Sequence, residues 1–196
     1  MGLGLLVIRL AVGLTLAAHG SQKLLGWFDG PGPEKAGKMM HKLGFRPGPR
    51  HARLAGASEM AGGTLLALGF VTPVAAAIIV GTMFVAGASA HAQKGFFLTS
   101  GGYEYTFMLG VTAWALAITG PGALALDSLW PIALHGAVYA TLALIVGLGA
   151  GAVMLAARQT DDDDETAVTE TSERDVTRST RIEGGRDSAA QPTNQA

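Results

Sequence analysis

One stretch near the N-terminus, residues 3–28, constrains this chain more than any other. It is apolar enough to cross a lipid bilayer, yet it contains Arg9 and ends in a polar cluster of His19, Gln22 and Lys23. A charged residue inside a spanning helix costs about 2.5–3.5 kcal/mol on insertion scales, so Arg9 needs a partner or a hydrated cavity. At about 100° per residue, Arg9, His19 and Lys23 share one face of a helix. The stretch therefore predicts a membrane helix with one polar face.

The composition supports a membrane protein and excludes several other classes. Hydrophobic residues make up 49% of the 196 residues, and charged residues only 15%. This composition, divided into long apolar runs, is typical of an all-α polytopic membrane protein. The net charge of −1 and the lack of a nucleic-acid-binding motif argue against nucleic acid as a partner. The chain has no cysteine, which excludes disulfides, thiolate catalysis and cysteine-ligated metal sites within it.

The N-terminal stretch does not have the organisation of a secretory signal peptide. No Lys or Arg precedes its apolar core, Arg9 interrupts that core, and no clear small-residue cleavage site follows. We therefore expect the stretch to remain in the protein as a helix.

Apolar runs separated by proline and glycine predict five spanning helices. In chain order they cover residues 3–23, 52–71, 74–92, 103–119 and 130–157. The first four form one predicted unit, residues 1–127, and the fifth is an added transmembrane helix within residues 128–157. Residues 34–43 are expected to form a short helix at the membrane surface, because their apolar side chains share a face. Residues 158–196 are acidic and lack aromatic side chains, which predicts a disordered tail.

The distribution of basic residues predicts the orientation of the chain. Seven Lys and Arg residues lie in residues 23–53, and a five-helix arrangement puts Lys94 and Arg158 on the same face. The opposite face receives none, so the basic face is expected to be cytoplasmic. The N-terminus then lies outside and the tail lies inside. If the fifth run did not span, the tail would lie outside instead.

Polar residues gather at the predicted cytoplasmic ends of four helices. Glu59 lies one to two turns inside the second helix, and His91 ends the third. Tyr103 and Glu104 begin the fourth helix at the end where His19 closes the first. Ionisable side chains inside a membrane protein usually face protein or water and mark functional sites. The pattern predicts a shared polar pocket at the inner mouth of the bundle.

Glu59 allows two interpretations. Gly62 and Gly63 follow it on the same face, and small residues there let another helix approach closely, so the carboxylate is expected to face protein. It either handles protons or binds a ligand, or it makes a structural ion pair. The candidate partners for such a pair are Arg9, Lys23 and Arg53.

Arg9 and the two histidines leave further alternatives open. By residue count Arg9 lies roughly 10 Å from Glu59 along the bundle. It either reaches Glu59, pairs with Asp127 or with backbone carbonyls near the outer face, or snorkels there alone. His19 and His91 are solvated helix ends, members of the polar pocket, or axial ligands of a haem held between two helices.

Three motifs in order resemble the DoxX family of small bacterial membrane proteins. They are Arg9 with His19-Gly20-x-Gln22-Lys23-Leu24-x-Gly26-Trp27-Phe28, then Glu59-x-x-Gly62-Gly63, then His91 with Gly95-Phe96-Phe97 and Gly101-Gly102-Tyr103-Glu104. The resemblance covers about residues 3–127 and implies a four-helix bundle in the bacterial inner membrane. A related protein is the small subunit of a thiosulfate:quinone oxidoreductase, and a mycobacterial member is associated with a membrane oxidoreductase complex. The resemblance thus implies redox or thiol homeostasis, while the fifth helix and the acidic tail depart from the family pattern.

Taken together, these features lead us to expect a membrane subunit of a redox complex that binds a quinone head group at the inner mouth. The residues expected to take part in proton transfer are Glu59, His19 and Glu104. The residues expected to hold the cofactor are Arg9, Gln22, Lys23, His91 and Tyr103. No flavin, nicotinamide or metal motif is present, so the electrons must come from a partner or a bound cofactor.

Three other functions remain open at this stage. The protein could be a scaffold that anchors soluble oxidoreductases on the cytoplasmic side, a small transporter, or a haem protein. The lipid bilayer is the first expected partner. Gly147 and Gly151 form a GxxxG pair in the fifth helix, which indicates close helix packing and no more. A second copy of the chain, forming a homo-oligomer, is left open as a further partner.

Overall fold

The apolar runs form α-helices in a computed structural model that describes residues 2–131 and 133–159. In chain order the helices are α1 (Gly2–Leu25), α2 (Gly32–Lys42), α3 (Gly48–Leu68), α4 (Thr72–Ala86), α5 (Glu104–Thr119) and α6 (Ala137–Ala156). The end of α4 continues as a π-helical turn, Gly87–His91, and a 3-10 turn, Ala92–Lys94; further 3-10 turns are Leu98–Ser100 and Leu126–Leu129. These residues contain no strand. The predicted all-α class is confirmed.

Three stretches are long and apolar enough to cross a membrane: Gly2–Leu25, Thr72–Lys94 and Ala137–Ala156. Many of their Leu, Val and Phe side chains are exposed on the protein surface, as expected for helices that contact lipid. The protein is therefore a helical membrane protein. The shorter α5 and the more polar α3 pack against these stretches, and the five-span topology stays a prediction.

The boundaries of α3 follow local chemistry that the hydrophobic pattern does not contain. The helix begins at Gly48, four residues before the predicted start, with Pro49 in its first turn, where a missing backbone N–H costs nothing. It ends at Leu68 because Gly69 adopts the left-handed conformation, with φ of 62°, that terminates many helices. A short turn then leads directly into α4.

The predicted start of the last helix at residue 130 is wrong, since α6 begins at Ala137. The Trp130 ring contacts Phe70 edge-on, with centroids 5.8 Å apart, and the Asp127 carboxylate is bonded to the turn between α3 and α4. These contacts hold the segment against that turn and prevent it from joining the helix. Gly136, with φ of 107°, then precedes the first turn of α6.

Helix packing places the elements around a shared apolar core. Helix α1 packs on α3, α3 on α4, and α4 on α5, while α5 also contacts α1. Helix α6 packs mainly against α4, and α2 lies on α3 and α1. The largest apolar side chains of the core, taken from these helices, are Leu16, Leu66, Ile79, Leu109 and Leu116.

The GxxxG pair of α6 lies in the contact between α4 and α6. A Cβ on Gly147 would lie 2.6 Å from the Ala77 carbonyl oxygen. The glycine face of α6 is therefore used within the chain.

The segment predicted to be disordered is acidic. After residue 159 it lies outside the described residues.

We use the term α2 end for the end of the helix packing at which α1 leads into α2. The opposite end carries the turn between α3 and α4. The Arg158 guanidinium, just after α6, lies 5.7 Å from the centroid of the Phe45 ring, which places the last described residues of α6 at the α2 end.

Candidate polar site at the α2 end

Two glycine contacts set the spacing between α1 and α3. A Cβ on Gly13 would lie 2.5 Å from the Gly63 carbonyl oxygen, and a Cβ on Gly20 would lie 2.5 Å from the Gly56 carbonyl oxygen. The paired glycines are seven residues apart in each helix, so the two helices run antiparallel with their backbones in contact. Glu59 lies between Gly56 and Gly63 and is therefore brought directly against α1.

The Glu59 carboxylate forms an ion pair with Lys23 through its Oε1 atom. Glu59 is only 4% exposed, whereas the Lys23 side chain is 27% exposed. Of the three candidate partners of Glu59, the structure selects Lys23. The Oε2 atom of Glu59 is buried and has no hydrogen-bond partner within the described residues. A buried charged group with an unused acceptor is costly, which marks this oxygen as a place where a proton or a donor group can bind.

His19 lies beside this ion pair and is held by two side chains. Its Nδ1 donates a hydrogen bond to Gln22 Oε1 at 3.2 Å, and the Tyr105 hydroxyl donates to its Nε2 at 3.4 Å. The two rings meet edge-on with centroids 6.1 Å apart. Gln22 in turn donates from Nε2 to the Phe28 carbonyl at 3.4 Å. With Nδ1 as the donor to the Gln22 oxygen, Nε2 faces the Tyr105 hydroxyl.

The polar group, as we call it below, consists of five side chains from three helices: His19, Gln22, Lys23, Glu59 and Tyr105. The charge of Glu59 acts on Tyr105, so the ion pair and the histidine pair share one electrostatic environment. The arrangement combines a buried carboxylate, a partly exposed ammonium, a phenol and an imidazole. Such a set can donate hydrogen bonds to a polar ligand and exchange protons with it.

Tyr105 is the member of the polar group that the sequence analysis missed. A signal for it exists in the spacing: Tyr105 precedes Leu109, Ala113 and Leu116 at intervals of four, eight and eleven residues, and all three are buried. Tyr105, which is itself 38% exposed, thus lies one turn before the core-facing side of α5. Tyr103, the residue predicted instead, lies on nearly the opposite face of the helix.

His91, Glu104 and Tyr103 are not brought into the polar group. His91 Nδ1 donates to the Gly101 carbonyl at 2.7 Å, and Glu104 Oε2 accepts from the Leu98 backbone N–H at 2.8 Å. The Tyr103 ring packs edge-on against Phe96, with centroids 5.4 Å apart. These side chains hold together the loop between α4 and α5. The single pocket expected from the sequence is therefore divided between the polar group and this loop.

Arg9 lies at the opposite end of the helices and is completely buried. Its Nη2 donates to the Leu124 carbonyl at 2.6 Å, while Nε and Nη1 have no hydrogen-bond partner within the described residues. Gly69 packs against the guanidinium so closely that a Cβ there would collide with it. The structure therefore selects the backbone carbonyl among the alternatives for Arg9, and Arg9 does not reach Glu59 or the polar group.

Asp127 supplies the negative charge at the Arg9 end. Its two carboxylate oxygens accept hydrogen bonds from the backbone N–H groups of Val71 and Thr72, at 2.6 and 2.9 Å, and from the Thr72 hydroxyl at 2.6 Å. The carboxylate thereby satisfies N–H groups at the start of α4 and balances the buried guanidinium electrostatically. This end is a structural connection between α1, the α3–α4 turn and the segment before α6.

The described residues contain no group of three or more His, Asp or Glu side chains arranged to hold a metal ion. His19 and His91, the alternative axial ligands of a haem, have separate hydrogen-bond partners, the one in the polar group and the other in the α4–α5 loop.

The DoxX family model matches residues 4–92, which confirms the resemblance over that range. The match covers α1 to the end of α4 and therefore includes Arg9, Glu59 and most of the polar group. Tyr105 and α6 lie beyond it. No curated protein and no solved structure matches the chain.

Proposed function

We propose that this membrane protein, whose residues 4–92 form a DoxX domain, is the membrane subunit of a redox complex and binds a quinone head group at the polar group. The observation that carries the proposal is the buried Glu59 carboxylate, which has one oxygen free beside Lys23 and within electrostatic range of Tyr105. A neutral head group with two carbonyl oxygens would accept a hydrogen bond from Lys23, which lies beside this oxygen.

The chemistry of quinone reduction matches the functional groups present. Reduction of a quinone to a quinol adds two electrons and two protons, one proton to each carbonyl oxygen. Lys23 can donate a hydrogen bond to a carbonyl, and so can Tyr105 once its hydroxyl turns away from His19 Nε2, which favours the developing negative charge. Glu59 can hold a proton on its free oxygen and transfer it, and the bonds of His19 orient the Tyr105 hydroxyl.

The electrons must be supplied from outside this chain. The sequence has no cysteine for an iron–sulfur cluster and no recognisable nucleotide-binding motif. We therefore propose a soluble redox partner, with a flavin or metal centre, that docks at the α2 end. The exposed basic side chains of α2, Lys35, Lys38 and Lys42, offer an acidic partner a complementary surface.

A quinone-binding measurement on the purified protein in nanodiscs tests the proposal. Glu59→Gln is expected to weaken affinity at least about tenfold, because a hydrogen bond to a charged group contributes about 1.5–3 kcal/mol. Tyr105→Phe, which removes only a hydroxyl, is expected to weaken it by a smaller factor. The matched controls are Glu34→Gln on the exposed face of α2 and Tyr139→Phe in α6, and both should bind as the wild type does. Equal affinity in all five proteins would remove the polar group from the site.

A scaffold is the second candidate function, and the same ion pair supports it. Lys23 and Glu59 join α1 to α3, so they could serve only to hold the helices together beneath a basic docking surface. In that case Glu59→Gln lowers the melting temperature without any change in quinone affinity. Loss of co-purifying oxidoreductases when the α2 lysines are replaced by glutamine would then identify the docking surface.

A further inference from the structure

A cavity lies between α4, α5 and α6, and none of the polar-group side chains lines it. Its volume is about 420 Å³, within the range of about 300–1,000 Å³ that is typical of ligand-binding sites. The walls are almost entirely apolar. Representative lining residues from the three helices are Met83, Phe84, Phe107, Trp114, Leu144 and Leu148.

The cavity exists because α6 contacts α4 more closely than α5. A Cβ on Gly81 of α4 would lie 2.8 Å from the Gly147 carbonyl oxygen of α6, so these backbones touch. Between α5 and α6, Trp114 Nε1 donates to the Ala140 carbonyl at 3.1 Å and closes the cavity at one end. From there the space continues towards the α2 end and reaches Tyr103.

Residues without bulky side chains deepen the cavity on two sides. Gly87 lines it at the point where α4 changes into a π-helical turn, and such turns are frequent at functional sites. Gly110 lines it from α5, and a Cβ there would meet only the Met83 Cβ, at 3.6 Å. The site of Gly110 therefore has room for a side chain that would extend into the cavity.

The cavity opens sideways, through the surface that α4, α5 and α6 share. Its exposed lining residues are Phe84, Ala88, Ala92, Tyr103, Phe107, Val111 and Leu148. Because α4 and α6 belong to stretches that are apolar and long enough to span a bilayer, the opening faces hydrocarbon chains. We propose that the cavity is a binding site for one acyl chain of an anionic phospholipid. This proposal does not depend on quinone binding at the polar group.

The charge at the mouth of the cavity identifies the kind of head group. The Lys94 side chain lies against Gly101, with its Cδ and Nζ 3.1 and 3.6 Å from where a Gly101 Cβ would be, and Lys94 makes no ion pair within the described part of the chain. Its neighbour Gly95 accepts a hydrogen bond from the backbone N–H of Tyr103 at 3.1 Å. A free ammonium therefore lies beside the end of the cavity that Tyr103 lines, where a phosphate head group would be attracted.

Native mass spectrometry of the purified full chain with added phosphatidylglycerol tests the chain-binding site. The wild type is expected to retain one tightly bound phosphatidylglycerol, and Gly110→Leu, which fills the cavity, to bind it at least about tenfold more weakly because no room for the chain remains. Gly149→Leu is the matched control, since nothing lies within 4 Å of a Cβ at that position on α6. Ala88→Leu is a second filling variant, with the exposed Ala152→Leu as its control.

The head-group preference is tested with Lys94→Gln. The preference of this variant for phosphatidylglycerol over phosphatidylcholine is expected to fall about fivefold, because the variant lacks one cation beside the anionic head group. Lys42→Gln, on α2, should leave the preference unchanged. Equal lipid binding by the wild type, Gly110→Leu and Ala88→Leu would overturn the proposal, as would retention of a quinone in place of phospholipid.

Discussion

Glu59 shows how a single buried side chain can have both a structural and a chemical use. One of its oxygens neutralises Lys23, and the other has no partner within the described residues. A carboxylate that is nearly removed from water is stabilised only while its partner charge is present, because the carboxylate alone bears the full cost of desolvation. The pair therefore ties α1 to α3 strongly only while it is intact.

A double-mutant cycle on this ion pair separates stability from function. Lys23→Met alone is expected to lower the free energy of unfolding by about 3 kcal/mol, because Glu59 is left buried without a partner. In the Lys23→Met, Glu59→Leu double variant the loss should shrink to about 1 kcal/mol, since apolar replacements of similar size fill the same space. Unfolding in detergent micelles, followed by circular dichroism, gives both values. Strictly additive losses would show that the two side chains are not coupled.

At the scale of the helices, glycine spacing decides which residues can meet. Gly13 and Gly20 of α1 contact Gly63 and Gly56 of α3, and the resulting backbone contact determines how α1 and α3 are rotated about their axes. Glu59, between the two contacts, then faces α1. The small residues around Glu59 already predicted that another helix approaches closely. They did not specify that this helix is α1.

Substitution of one of these glycines should force the helices apart. A Cβ on Gly20 would lie 2.5 Å from both the Gly56 carbonyl oxygen and the Met60 backbone nitrogen, neither of which can move without shifting α3. Gly20→Ala is therefore expected to cost about 1–3 kcal/mol of unfolding free energy, as overpacking does elsewhere. Gly4→Ala in the same helix, where nothing lies within 4 Å, should be neutral or slightly stabilising. Equal melting temperatures for the two variants would contradict a close α1–α3 contact.

At the scale of the whole molecule, successive helices link two ends with different chemistry. The α2 end carries the polar group and the basic surface of α2, whereas the opposite end carries the buried side chains of Arg9 and Asp127. An arrangement with the basic end in the cytoplasm follows the usual bias of Lys and Arg in membrane proteins. The apolar cavity beside α6 belongs to this level too, because it requires three helices from separate parts of the chain.

The lack of cysteine makes this orientation directly measurable. Single cysteines at the exposed positions Lys35, Gln93 and Ala157 are expected to react with a membrane-impermeant maleimide only after the cells are permeabilised. A cysteine at Leu129, which is 77% exposed at the opposite end, should react in intact cells. The cysteine-free wild type is the control for labelling. Reaction of Ala157→Cys in intact cells, with Lys35→Cys protected, would mean that α6 does not span.

By itself the sequence determined that this is a helical membrane protein whose residues 4–92 match the DoxX family model, and it located the helices to within a few residues, except for the start of α6. These properties follow from hydrophobicity and from proline and glycine breaks, which act over short distances along the chain. The tertiary structure alone decided that Tyr105 joins Glu59 and His19, that His91 and Glu104 hold a loop, and that Arg9 binds Leu124. The direction of a polar side chain depends on the rotation of its helix about its axis and on the angle at which the helices cross. Contacts between residues far apart in the sequence determine both.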